Sequence, residues 1–146
     1  MTTTTNISIN FDGYYLEGSR YLLPDKRGIY IIQSCSHNKK MVSIQIKSIL
    51  YIGHAPDVRS AVLNHEKWDE MKRFAHESEL CVNVASFNGS ELMRAAAALT
   101  YKHKPIFNDE NVMRFEYDTT TIHMTGRYRA LIPLFTVYPT HFISKA

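Results

Sequence analysis

The sequence has little with which to staple itself. Its 146 residues include two cysteines, Cys35 and Cys81, 46 positions apart and in no CxxC pair. A disulfide scaffold and a zinc ribbon are excluded on that count, and two free thiols suit a reducing cytoplasm. No apolar run approaches the roughly 20 residues of a membrane-spanning helix, so no membrane association is expected. The opening MTTTTNISIN lacks a basic start and an apolar core, so it is not expected to act as a signal peptide. Its TTTT run reads as a frayed polar arm. There is no internal repeat and no stretch of linker composition, with only six glycines, five prolines and one tryptophan. Nor is there a block of one charge. Lys and Arg number 17 against 14 Asp and Glu, spread along the chain for a net charge of +3. That balance is compatible with a polyanionic partner without demanding one.

What is present is ordinary for one globular domain: 45% apolar and 21% charged residues, in a chain long enough for a single core. Nine tyrosines and seven phenylalanines make it slightly rich in aromatics. ISINF (7–11) alternates and predicts a short strand. Pro24 to Gly28 reads as a turn delivering the chain into GIYIIQS (28–34), a β-branched run of strand character. A polar loop at 36–40 leads to a second strand-like run, MVSIQIKSILYIG (41–53), so the two predict a hairpin. Pro56 and Asp57 then open a helical stretch to about Ala75, with Val58, Val62, His65 and Met71 on one face. ELCVNVASF (79–87) alternates as a third strand. Asn88-Gly89-Ser90 turns and caps a helix from about 91 to 103, stopped by Pro105. The remainder is β-leaning. The expected fold is a small α+β sandwich of one domain, 1–146. Its central antiparallel sheet is flanked by helices in the order β-β-α-β-α (28–108), with segments 1–27 and 109–146 packing on that core.

The pair Gly28-Ile29-Tyr30 and Tyr51-Ile52-Gly53 resembles the two tripeptides that open the GIY-YIG nuclease superfamily. Further matches follow in order. Asp57-Val58-Arg59 occupies the helix start that follows YIG, and His65 lies where the family has His or Tyr. AALTYKHKPIFN (97–108) is similar to the family's closing helix with Pro-x-x-Asn, ending in Asn108. The insert between Tyr30 and Tyr51 exceeds the family's usual spacing, in a hairpin loop where insertion is tolerated.

The resemblance implies a DNA endonuclease hydrolysing phosphodiesters. One of Tyr30 and Tyr51 would act as general base on water, His65 would assist, and Asn108 would anchor the hydrogen-bond network. An Arg on the first helix would face the phosphate, and a Glu on the second would hold one Mg²⁺ (or Mn²⁺) acting as a Lewis acid. A phenol is a poor base at neutral pH unless cations or a metal surround it. Gly53, His54 and Arg59, with Arg114, Arg127 and Arg129 of the C-terminal segment, are the candidate DNA contacts.

Two positions depart from the pattern. The family Arg falls ten residues after Tyr51, at Ala61. The family Glu falls nine before Pro105 and twelve before Asn108, which is Ala96 from both. Neither methyl group can ligate a cation or contact a phosphate. Arg59 is no substitute, since two helical positions rotate it about 200° from 61. Both losses are to alanine while Tyr30, Tyr51, His65 and Asn108 stand intact, and neutral drift would scatter other residue types. The chain is therefore expected to be an engineered, catalytically inactive form of a metal-dependent endonuclease, itself binding no metal. The alternative is a natural pseudonuclease serving as a non-catalytic DNA-binding or protein-interaction module. A homodimer would be needed to cut both strands in one visit, and no dimer face is legible. His65 and His76 lack a third ligand, which argues against zinc.

Overall fold

The computed structural model describes residues 3–38 and 43–140. Met1 and Thr2 of the polar arm, Lys39 and Lys40 of the loop, and Met41 and Val42 of the predicted second strand lie outside those residues. Six strands form one sheet in the order β3-β2-β4-β1-β5-β6: β1 (Thr5–Leu16), β2 (Gly28–Asn38), β3 (Ser43–Ala55), β4 (Glu79–Ser86), β5 (Thr120–Gly126) and β6 (Leu134–Val137). Helices α1 (Val58–Leu63), α2 (Trp68–Ala75) and α3 (Leu92–His103) pack on it, making the fold α+β.

The pleat sorts side chains to two faces. Ile29 and Ile31 of β2 join Ile52, Ala85 and α3 on one face, where β1 and β5 add Ile7, Ile9, Phe11, Ile122 and Met124. Tyr30 and Ile32 turn to the other face and meet Leu80, Val82, Val84 and the helical residues Val58, Val62, Trp68 and Met71. The run Ala95 to Ala98 is buried. Its small side chains let α3 lie close on the sheet, and an alanine-rich helix needs little else to form.

The central sheet is antiparallel as expected, through the β2–β3, β2–β4 and β1–β4 pairs, and β5 of the C-terminal segment adds a parallel pairing to β1 through seven residue pairs. Three expectations are corrected. The N-terminal segment does not merely pack on the core. It lengthens from the expected 7–11 to β1 and lies inside the sheet, between β4 and β5. The helix expected from Pro56 to Ala75 is two helices, with Asp57 capping the first through the Ser60 amide at 3.2 Å. Asn64 ends that helix by turning its amide back to the Ser60 carbonyl at 3.0 Å. At the entry to α3 the cap position is Glu91, and no side chain caps it.

Both motif glycines are explained by close approach. A Cβ on Gly28 would sit 2.1 Å from the Ala85 carbonyl oxygen on β4, and one on Gly53 would sit 2.4 Å from Cζ of Tyr30. The first glycine lets two strands pair, and the second makes room for a ring.

Candidate active site

In the β2–β3 register Tyr30 faces Gly53 and Ile32 faces Tyr51. Tyr30 and Tyr51 are thus diagonal neighbours on one face. Their rings stack at 6.1 Å between centroids, with 19° between planes. The break between α1 and α2 brings in His65, which meets Tyr51 edge-on at 4.5 Å and Tyr30 at 5.9 Å.

A cleft of about 320 Å³ opens where these tyrosines reach the β3 edge. Its lining runs from Tyr30 and Tyr51 through Gly53 and His54 to Ala96 and Asn108. Asn108 closes that edge. Its Oδ1 accepts the Ile52 N–H at 2.9 Å and its Nδ2 donates to the Ile52 carbonyl at 2.9 Å. The Phe107 N–H donates to the Leu50 carbonyl at 2.8 Å, so 107–108 finishes the exposed edge of the sheet.

Burial dominates the electrostatics. It raises the Tyr30 phenol well above the usual value, with Tyr51 adding to the effect. It also raises Tyr51, against the pull of the Lys67 ammonium. His65 is lowered by burial, and His54 is lowered by burial and then by Arg27. The Lys67 backbone N–H donates to Nδ1 of His65 at 3.1 Å. That nitrogen is therefore the acceptor and Nε2 carries the proton of the neutral ring. Both phenols stay protonated at neutral pH and the imidazole lone pair is already engaged, so none of these three groups is free to accept a proton.

The sequence-derived residues separate into two sets. Tyr30, Tyr51, Gly53, His54, Ala96 and Asn108 line the cleft, with His65 against the tyrosine rings. Ala61 is half-buried on α1, packed with Tyr51 against the second core cluster, and is not part of the lining. Arg59 donates Nε to the Leu23 carbonyl at 2.6 Å, which holds it away from the cleft. Arg114 lies 3.6 Å from Glu116. The Arg127 carbonyl accepts from the Asn83 amide at 2.7 Å. Arg129 donates Nη1 to the Ile44 carbonyl, and its backbone N–H donates to the Tyr14 hydroxyl oxygen at 2.9 Å. None of these arginines joins the lining.

Several residues of the cleft escaped sequence reasoning, among them Glu66, Lys67, Asp109 and Glu110. Lys67 donates Nζ to the Phe107 carbonyl at 2.8 Å and to Oδ2 of Asp109 at 2.7 Å, and it lies 5.9 Å from the Tyr51 ring centroid. On an unbroken helix from 56 to 75 it falls off the apolar face. The turn at 64–67 rotates it inward, and Asn64 was the available signal, since Asn favours helix ends over helix interiors.

The donor set does not fit a divalent cation. Ala96 offers a methyl group at the position implied for a metal ligand, and the carboxylates that do line the cleft, Glu66, Asp109 and Glu110, are not grouped so as to hold an ion together. Among the described residues no group of three or more His, Cys, Asp or Glu is arranged to hold a metal ion.

Neither a protein-family model nor a curated protein matches the chain. Two solved structures of the GIY-YIG N-terminal endonuclease domain of UvrC from Thermotoga maritima are similar to it. Both are tyrosine-to-phenylalanine point mutants bound to the catalytic divalent cation. Identities are 24% and 25%, and the TM-score is 0.42 for each. The match covers 64% of this chain and 93% of that domain.

Proposed function

We propose that this chain is a DNA endonuclease of the GIY-YIG type in a form that does not cleave. The observation that carries the reading is the position of Ala96. It lines the same cleft as the stacked Tyr30 and Tyr51 and as Asn108, so a methyl group faces the cleft, beside Met93 and Ala97 of the same helix, where the motif spacing asks for a carboxylate. Tyr30 and Tyr51, held protonated in this form by burial, become the groups for the attacking water only where the cations of the active parent favour the phenolate. His65 orients Tyr51, Asn108 fixes the β3 edge, and Gly53 and His54 border the scissile phosphate. Arg59, Arg114, Arg127 and Arg129, outside the lining, are left for contacts to flanking phosphates. The active parent carries Arg at 61 and Glu at 96 and uses Mg²⁺ or Mn²⁺, and the two alanines are engineered. Among the described residues no helix is long and apolar enough to cross a membrane, and the cytoplasm is the proposed location.

The test is Ala61→Arg combined with Ala96→Glu, assayed on single-stranded, duplex and branched DNA with Mg²⁺ and with Mn²⁺. Metal-dependent cleavage is expected. A folded double variant that cleaves none of these overturns the reading. One observation favours the second reading, a natural non-catalytic DNA-binding or protein-interaction module. Ala96 sits within the buried run Ala95 to Ala98, as a native alanine would. That reading expects salt-sensitive DNA binding with no gain from the two replacements.

A further inference from the structure

The cleft lining carries three carboxylates, Glu66, Asp109 and Glu110, against one ammonium, Lys67. A wall of that charge repels a DNA backbone unless its cation is free to meet it. Lys67 is the cation best placed to do so. Its side chain is 22% exposed, while that of its partner Asp109 is 87% exposed. The lysine is held from beneath by the Phe107 carbonyl, and its carboxylate partner stands almost wholly in water. An ion pair so open on one side is weak and exchanges readily for another anion.

We propose that Lys67 is the phosphate-binding cation of this cleft and that Asp109 is its built-in competitor, occupying the ammonium until a phosphodiester oxygen of DNA displaces it. The inference rests on reading the cleft as a DNA site and adds to it a residue and a gate. Lys67 need not move to act, because its bond to Phe107 fixes Nζ beside Tyr51 while Asp109 swings out. Gln at 67 keeps a polar side chain but has no charge for a phosphate, and an unchanged melting temperature shows that the 107–109 segment stays in place.

The experiment measures binding of a fluorescein-labelled 20-base-pair duplex by anisotropy, over a salt series, using the chain as written. Lys67→Gln is expected to weaken binding and to lower the slope of log affinity against log salt by about 0.9, the share of one phosphate contact. Asp109→Asn is expected to strengthen binding severalfold, and Glu110→Gln, which removes the same charge from the same wall, to strengthen it less. In the Lys67→Gln background the gain from Asp109→Asn is expected to vanish, since the two residues act on one another. A Lys67→Gln protein of unchanged melting temperature that binds with unchanged affinity and slope overturns the proposal. So does an Asp109→Asn gain that survives in that background. If the variant restored at 61 and 96 cleaves DNA while either of those results holds, only this inference fails. If no form of the protein binds the duplex, the inference and the reading beneath it fail together.

Discussion

The phenol ring of Tyr30 lies across the bare backbone of Gly53, so close that a Cβ there would come within 2.5 Å of its hydroxyl oxygen and 2.8 Å of Cε2. The ring has nowhere easy to go. Tyr30 is 5% exposed, stacked on Tyr51 and edged by His65. Gly53→Ala is therefore expected to cost about 1–3 kcal/mol, as overpacking of a filled site does. Urea denaturation measures it. A variant as stable as the parent would mean that the ring moves freely and that the tyrosine stack is not fixed.

Asn108 satisfies both backbone groups of Ile52 that β2 leaves unpaired. Asn108→Ala is expected to destabilise the fold by about 1–3 kcal/mol, the cost of orphaned polar groups at a partly buried edge. Asn108→Asp separates the two bonds. Its carboxylate still accepts from the Ile52 N–H but faces the Ile52 carbonyl with lone pairs, and only a protonated carboxyl can donate there. Its deficit relative to the parent should shrink as pH falls from 7 to 4, which denaturation at a series of pH values reads directly.

The parts of this architecture that local pattern governs were legible in the sequence. β2 and β4 follow from β-branched runs and alternation, and Pro105 ends α3 after a left-handed Lys104. Tyr30, Tyr51 and Asn108 came from the resemblance to the GIY-YIG tripeptides and the Pro-x-x-Asn ending rather than from any local period, and the structure brings the three to one sheet edge. What escaped depends on partners distant in sequence. No local period says that Thr5–Leu16 will slot between β4 and β5, since that pairing is set by which apolar faces remain uncovered once the chain has folded. The split at 64–67 is a tertiary override of helix propensity, with the His65 ring packed on the tyrosines and Nδ1 on the Lys67 amide. Lys67 was lost with it, because its direction depends on a turn that helical periodicity does not contain.

Ala96 and Ala98 make a controlled comparison on one helix. Both belong to the same buried cluster, but Ala96 also borders the cleft while Ala98, 0% exposed, does not. Ala96→Glu can send its carboxylate into open space and is expected to lose less than about 1 kcal/mol. Ala98→Glu leaves an uncompensated charge in the core and should cost about 3–5 kcal/mol. Melting temperatures of the two single variants decide it. Equal, large losses would show that position 96 has no outlet to the cleft and would remove the ground for placing a carboxylate there.

His65 gives the fold a pH dependence of known sign. Burial lowers its pKa below the usual histidine value near 6.5, so the folded protein resists a proton that the unfolded chain accepts. The neutral ring's contribution is complete above about pH 6.5. It is lost as pH falls below that value and through the lower folded pKa. Geometry gives the same sign. A second proton must go to Nδ1, where the Lys67 N–H already points at 3.1 Å, so protonation sets two donors face to face. His54 and His103 are also lowered by burial and lean the same way, so the test is a difference between proteins. His65→Gln retains a side-chain acceptor for the Lys67 amide but cannot titrate. The parent is expected to lose more stability than this variant between pH 7.5 and pH 5, with the gap opening below about pH 6.5. Parallel curves for the two proteins across that range would mean that His65 takes up its proton as easily folded as unfolded. The Lys67 amide would then not be holding the ring in its neutral form.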